Sequence, residues 1–429
     1  MNNKKNPKPR HCEERSDEAI HSSLFDTSAL SRETVSILNS FDEIIQGVRP
    51  LNSRQLQQLP EHIRDLSHQL TDDRASRRLG YMNDNVQLSS YVRYYTWWNL
   101  VRLTRLFANI PASVFPTKDC TCLDLGSGPL TVVTALWLAR PELRKLRLIW
   151  YCLDVSANSM ALGEDIYLSI AAKAKAADET IEPWQIIRVK GPFGTPIKQK
   201  AGFLTCANMF NELDQASDMP PEFQTKKYYE QIERYCEKGA GVLLVEPGVP
   251  KAARTLSLLR TRFIKDGRTI AAPCPHAEEC PMSGFKAYTG SKNKWCNYAF
   301  STEDAPARLQ KLSVTAKLPK ERATLSFIAV ASSAVSSSAV VSTGSTTDTT
   351  ATSIRITSDK LRLPNYMCGY YACSRFGLAL VKLPDENNTR LPKPPFRPQS
   401  GDLIQVQVKT KTPDSLPKDE KSGAVIIAL

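Results

Sequence analysis

The hydrophobic positions change period along the chain. Over residues 27–115 they recur at helical spacing. "SRETVSILNSFDEIIQGV" offers Ser31 as an N-cap, Glu33 in the first turn, and Val35, Leu38 and Phe41 as an apolar stripe. "YVRYYTWWNLVRLTRLFANI" carries Trp97, Leu100, Val101, Leu103, Leu106 and Phe107, which read as core. Arg93, Arg102 and Arg105 among them read as a solvated helix face rather than as phosphate contacts. From residue 116 the period shortens. "DCTCLDLGSGP", "LRLIWYCLDVS", "WQIIRVKG", "AGFLTCANMF" and "AGVLLVEPG" are successive apolar strands, the third weak. Helical stretches lie between them, and the last two helices end at Gly239 and Gly267. Strands alternating with helices predict a parallel α/β sheet with right-handed crossovers.

A loop over roughly 270–300 follows, and "ATLSFIAVAS" predicts a sixth strand. "YMCGYYACSRFGLALVKL" predicts a late strand, expected to pair antiparallel with the sixth. The division expected is a disordered tail (1–26), a helical N-terminal domain (27–115) and a Rossmann-type domain (116–269 and 322–382). The rest is a cysteine loop with a basic linker (270–321), a flexible Ser/Thr-rich insertion (333–354), and a proline-rich linker with a β-rich tail (383–429).

Composition changes this picture little. The 429 residues are 41% hydrophobic and 23% charged, which suits two or three globular domains. No apolar run is long enough to predict a membrane span, and the polar N-terminus does not read as a secretory signal. Charge adds more. The formal net charge is +12, which favours an anionic partner such as nucleic acid. Two basic runs stand out: Lys251, Arg254, Arg260, Arg262, Lys265 and Arg268, then Arg308, Lys311, Lys317, Lys320 and Arg322. They flank the cysteine loop, so a basic surface is expected around it. The 11 cysteines without a signal peptide do not predict a disulfide framework. Cys122, Cys152 and Cys206 lie in strand-like runs and read as buried hydrophobes.

The first candidate site is "LDLGSGP". A strand ends at Asp124 and turns through Gly126, Ser127 and Gly128 into a helix, whose first N–H groups are free for a ligand. A second strand ends at Asp154, where an acid hydrogen-bonds ribose hydroxyls in nucleotide-binding sheets. This order resembles class I S-adenosylmethionine-dependent methyltransferases. The resemblance implies that Asp124, Gly126, Ser127 and Gly128 line the methionine part of the cofactor and Asp154 its ribose. Asn208 in "CANMFNELD", with Asn211 and Glu212 near it, would meet cofactor and substrate. Leu130 stands where a third glycine is usual, and its side chain is expected to crowd the cofactor. The Asn/Asp-Pro-Pro-aromatic signature of amino-group methyltransferases is absent.

The second is "APCPHAEECP", with Cys274 and Cys280, followed by Cys296 in "KWCNYAF". The spacing does not match the close pairs of structural zinc, and irregular loop cysteines suit an iron–sulfur cluster. A fourth thiolate must come from elsewhere, and Cys368 and Cys373 are both available on the late strand. His276 competes as a ligand or orients the loop. E-P-G after the fifth strand, A-P-C-P-H-x-x-x-C-P, W-C and a late Cys four residues before Gly377 resemble the small-ribosomal-subunit methyltransferase-like family of the Rsm-twenty-two type, over roughly 81–380. The resemblance selects Cys373. It implies that Cys274, Cys280, Cys296 and Cys373 hold a 4Fe–4S cluster, and that the partner is ribosomal RNA of the immature small subunit. It also implies a cytoplasmic place in a bacterial-type protein and a mitochondrial one in a eukaryote. The function expected is an rRNA-binding assembly or translation factor of the small subunit, with no membrane partner. Two further readings stand beside it: an active rRNA methyltransferase, and a zinc-stapled binding module.

Overall fold

The computed structural model describes residues 22–71, 81–215, 219–285, 294–333, 351–385, 397–408 and 416–428. Its N-terminal part is helical: α1 (Arg32–Asn39), α2 (Phe41–Val48), α3 (Ser53–Thr71), α4 (Asn85–Tyr91) and α5 (Trp97–Asn109), the last two joined by one π-helical stretch, Val92–Thr96. Ser31 caps α1 by accepting the Thr34 N–H at 3.0 Å. The stripe that α1 buries is Thr34, Ile37 and Leu38, and Val35 faces out. The three arginines of 93–105 are not a solvated face: Arg93, Arg102 and Arg105 are all buried. Here α5 is enclosed on every side, and each guanidinium finds backbone carbonyls, of Arg49, Thr324 and Ser301 respectively. Buried charge is tolerated when hydrogen bonds replace water in this way.

The α/β part then runs β1 (Cys120–Leu125), α6 (Thr131–Ala139), β2 (Leu148–Asp154), α7 (Ala157–Ala177), β3 (Gln185–Lys190), β4 (Ala201–Ala207), α8 (Phe210–Gln215), α9 (Pro221–Tyr235), β5 (Cys236–Glu246), α10 (Pro250–Lys265), β6 (Ile270–Ala272), β7 (Tyr298–Ser301), α11 (Ala307–Thr315) and β8 (Arg322–Val330). The sheet order is β3-β2-β1-β4-β5-β8-β6, with β7 on β8. The first five strands are parallel, and β8 is antiparallel to its neighbours. This is the class I methyltransferase-like arrangement. Alternation splits the core: Cys122, Cys152 and Trp150 pack on the α6–α7 face, and Leu123, Leu204 and Cys206 on the α9–α10 face. Among the described residues no helix is long and apolar enough to cross a membrane.

Four expectations need correction. The late strand does not join β8. A second sheet is built from β9 (Ala351–Ile356), β10 (Leu361–Leu363), β11 (Met367–Ser374), β12 (Gly377–Pro384), β13 (Leu403–Gln407) and β14 (Val425–Ala428). There β11 pairs with β9, β10 and β12, so 351–384 is separate from the first sheet and shares its own with the C-terminal strands. The end of the Ser/Thr-rich stretch is strand β9, whose Ile354 and Ile356 are fully buried, and β-branched residues favour that outcome. Residues 334–350 lie outside the described residues. The N-terminal tail is ordered from Ser22, which bridges to Leu403, while Leu24 and Phe25 are buried. Residues 1–21 lie outside the description. Finally, β6 and β7, too short for a periodic signal, arise within the stretch read as loop.

Candidate cofactor cleft and cysteine centre

The strands β1, β2, β4 and β5 are parallel, so their carboxyl ends share one edge of the sheet, the candidate cofactor cleft. Two parallel strands lead away from β1 in opposite directions there, the place where such sheets take ligands. Gly126 and Gly128 have φ of 64° and 49°, the left-handed region that favours glycine, and at Gly126 a Cβ would also lie 2.9 Å from the Met209 side chain. Asp154 fixes the turn: it accepts the Gly128 N–H at 2.9 Å and the Ser156 N–H at 2.8 Å. Above it sits the turn Tyr81–Asn83, with Asn83 taking the Ser156 hydroxyl at 2.9 Å. Leu130, at φ 53°, does not crowd the cleft: its side chain is fully buried in the core on the α6–α7 face. Gly163 on α7 brings that helix onto the turn, since a Cβ there would lie 2.3 Å from the Pro129 carbonyl carbon.

Asp124 is wholly buried. Its Oδ1 accepts the Thr205 hydroxyl at 2.7 Å, and its Oδ2 has no hydrogen-bond partner. Burial, little offset by Thr205, pushes its carboxyl up to about 7. Burial also raises Asp154. Asn208 takes a left-handed backbone, φ 62°, just after β4, and its side-chain oxygen accepts from Arg102 at 3.0 Å. Glu246, at the end of β5, accepts the N–H groups of Phe210 and Asn211 at 2.9 and 3.1 Å. Of the neighbours expected to meet a ligand, Asn211 is buried, and Glu212 lies near enough to Tyr91 to raise its hydroxyl pKa after burial. Arg102 is the member of this site without a local sign in the sequence, because the residues it joins are more than 100 positions away.

The cysteines gather elsewhere, at the junction of the two sheets. Cys274 and Cys280 lie on the loop after β6, Cys296 precedes β7, and Cys373 is on β11. Burial raises the thiol pKa of Cys373, and the sulfurs of Cys274, Cys296 and Cys280 raise it further. The same holds for Cys296, with Cys280 and Cys274 acting on it. The four are thus within electrostatic reach of one another. Cys368 is apart, its thiol towards the Pro384 carbonyl at 3.7 Å. Arg260 of α10 donates from Nε to Cys274 Sγ at 3.1 Å and from its terminal nitrogen to the His276 carbonyl at 2.8 Å. His276 Nε2 lies 3.1 Å from Cys373 Sγ, and burial, then Arg260, pushes its imidazole down to about 4. Arg355 of β9 is buried and donates to the carbonyls of Pro273, 3.0 Å, and Gly401, 2.8 Å, tying the loop to the second sheet. Among the described residues no group of three or more His, Cys, Asp or Glu closes around a single metal ion.

The basic runs are partly spent in ion pairs within the chain. Arg254 pairs with Glu222, Arg268 with Glu233, Arg308 with Asp42 and Glu43, and Arg322 with Asp359. Lys265, Lys311 and Lys317 remain exposed.

The family described as mitochondrial small ribosomal subunit Rsm22 matches residues 98–364. The chain belongs to the Rsm22 family. The Rsm22 match takes in the whole glycine-turn cleft from Arg102 onward and Cys274, Cys280 and Cys296, and it ends before Cys373. No curated protein matches the chain. Solved structures of methyltransferases are similar at low identity. One is a SAM-dependent methyltransferase from Geobacter sulfurreducens in complex with S-adenosyl-L-homocysteine: 12% identity, 54% of this chain and 90% of that one, TM-score 0.30. A second, from Thiobacillus denitrificans with the same ligand, has 12% identity over 55% and 91%, TM-score 0.29. A ribosomal protein L11 methylase from Lactobacillus delbrueckii subsp. bulgaricus has 16% identity over 40% and 71%, TM-score 0.25. The Rsm22 match makes the chain a ribosome-related protein, and its strand order is methyltransferase-like.

Proposed function

We propose that the chain is an rRNA-binding assembly or translation factor of the small ribosomal subunit, whose two sheets are joined through a 4Fe–4S cluster held by Cys274, Cys280, Cys296 and Cys373. The observation that carries this reading is the meeting of four buried or half-buried thiols from three separate segments. Burial, then the neighbouring sulfurs, raises the thiol pKa of Cys296 and Cys373, so their thiolate forms would need iron to take the protons' place. A four-iron cluster also accepts thiolates set farther apart than one tetrahedral ion does. When bound, the cluster would supply iron–thiolate links between the loop and β11. The residues around it fit its negative charge: Arg260 donates to Cys274, and Arg355 holds the loop carbonyl of Pro273. Exposed Lys265, which lines one cavity with Arg260 and Cys280, would supply a phosphate contact near this junction. A mitochondrial small subunit as the setting follows the family's description and is part of the proposal.

Anaerobic purification tests it. The expected result is a brown protein with about four irons and matching sulfide per chain, and small-subunit RNA bound in a strongly salt-dependent manner. A colourless protein containing zinc would leave the stapled-module reading in its place, and no RNA binding at low salt would remove the ribosomal role.

A second reading, S-adenosylmethionine binding in the cleft, is favoured by Asp124. Its buried, unpartnered Oδ2 is suited to a cationic group of the cofactor. Gly128 lines the cleft with nothing closer than 3.9 Å to a hypothetical Cβ, and Asp154 stands at the ribose end. Methyl transfer to RNA would require that binding first, so calorimetry without any S-adenosylmethionine heat would dispose of it.

A further inference from the structure

The helix α10 and the loop that follows Cys274 enclose a cavity of about 510 Å³. Its α10 side runs from Arg254 to Lys265, a span of roughly 16 Å at 1.5 Å per residue. Leu258 and Ile264 make that side apolar, and Ser257 and Thr261, one turn apart, add hydroxyls. Phe285 stands at the Arg254 end and is 59% exposed. That exposure is built in. Gly284 packs directly on α10, where a Cβ would lie 2.8 Å from the Pro250 carbonyl oxygen, and it donates its N–H to the Lys294 carbonyl at 2.9 Å. The Arg254 guanidinium lies over the Phe285 ring, 5.1 Å from its centroid, and is itself held by Glu222 at 2.6 Å. A ring fixed by its neighbours yet left open to water is a stacking surface, not part of the core.

The charges of the lining decide what fits. Arg254 is committed to Glu222, and Arg260 to Cys274 and the His276 carbonyl. Glu278 and Glu279 are exposed on the loop side. An anion inside the cavity would meet these two carboxylates. An uncharged planar group would meet the ring, the apolar side chains and the hydroxyls. Lys265, at the other end, offers an exposed ammonium.

We propose that this cavity takes an unpaired base of single-stranded RNA, stacked on Phe285, while the RNA backbone passes Lys265. Stacking on an aromatic ring holds single strands whatever the base, because every base has a flat π-face. The span along α10 is long enough for a base at one end and a phosphate at the other. A duplex, whose bases are stacked on one another, is not held in this way. The inference rests on the RNA-binding reading and specifies how the RNA is gripped. It does not depend on which metal the cysteines hold.

The test uses the anaerobically purified full chain and two single-stranded RNA oligonucleotides, one ordinary and one with the same backbone but no bases. The wild-type chain should bind the ordinary strand more tightly than the abasic one. Phe285→Ala should lower affinity for the ordinary strand by about 5- to 100-fold, the range for losing one stacked base, and leave the abasic strand unaffected. Phe285→Tyr should keep wild-type affinity. The slope of log affinity against log salt should stay the same in Phe285→Ala and become shallower by about 0.7 in Lys265→Gln, the value for one phosphate contact on a single strand. Both side chains are exposed, so the variants should melt where the wild type does. The inference is overturned if Phe285→Ala binds the ordinary strand as the wild type does, or loses as much affinity for the abasic strand. In either case the RNA-binding reading stands, and the exposed ring serves another partner, such as a protein. A wild-type chain that binds neither strand at low salt removes the inference and that reading together.

Discussion

The glycine-turn cleft and the cysteine junction are held in opposite ways. In the cleft, backbone amides do the positioning: Gly128 and Ser156 donate to Asp154, and Phe210 and Asn211 donate to Glu246. The walls are therefore set whether or not a ligand is present. At the junction the key groups are side chains from three segments and two sheets, and burial, with the neighbouring sulfurs, holds the Cys296 and Cys373 thiols protonated. Under the proposed function, the first region is preorganised for its ligand and the second is completed by one. Removing a single side chain should therefore be graded in the cleft and close to all-or-none at the junction.

The largest effect expected is at the junction. Cys373→Ser should abolish iron and sulfide retention in anaerobically purified protein, whereas Cys368→Ser, whose thiol faces the Pro384 carbonyl, should leave both unchanged. Equal iron in the two variants would erase the distinction between these strand positions.

Next comes Asp124. Its folded pKa, about 7, stands above the ordinary value of 3.8. The native chain therefore holds this proton more tightly than the unfolded chain. Its contribution is fully present below pH ~4 and is lost as pH rises through ~7, by up to about 4 kcal/mol in total. Asp124→Asn should flatten that part of the stability–pH curve measured by urea unfolding at several pH values. Curves that stay parallel would show that the carboxyl does not titrate there. Bound S-adenosylmethionine, if it places a cation at Oδ2, should shift the wild-type midpoint downward.

Gly163→Ala tests the support of the glycine turn. Its new methyl would meet the Pro129 backbone, which cannot swing away as a side chain does. A loss of about 3 kcal/mol is expected, the upper end for overpacking. A loss below ~0.5 kcal/mol would mean that α7 gives way and that the turn is less fixed than the junction comparison requires.

How legible each region was follows from the same contrast. The alternation of strands and helices, the turn at Gly126–Gly128 and the acid at Asp154 are local patterns, and each is written within a few residues. Arg102 belongs to the cleft through Asn208 and Thr324, which lie far off in sequence, so helical periodicity alone assigned it to solvent. The cysteine motif was legible as a motif, but the placement of its fourth thiol depends on β11 lying in a second sheet. That sheet was hidden because β9 emerges from a Ser/Thr-rich stretch whose low complexity masks the alternation of Ile354 and Ile356. Arg355, which links the sheets, lies between those two isoleucines.

The smallest effect is the most pointed, because it inverts an ordinary rule. Leu130 sits at φ 53° with its side chain fully buried. In a helix interior glycine is worse than alanine by about 1 kcal/mol. At a left-handed position the Cβ costs roughly 1–2 kcal/mol, so the order should reverse. Both Leu130→Ala and Leu130→Gly lose the buried side chain, worth about 2–5 kcal/mol when truncated to alanine. Leu130→Gly should nevertheless be the more stable of the two, by about 1 kcal/mol in chemical denaturation. That ranking would show that the turn keeps its left-handed residue without a glycine there, and that the leucine is retained for the core beneath the cleft. If Leu130→Ala proves the more stable, the backbone at this position relaxes out of the left-handed region, and the cleft is not preorganised in the sense that separates it from the junction.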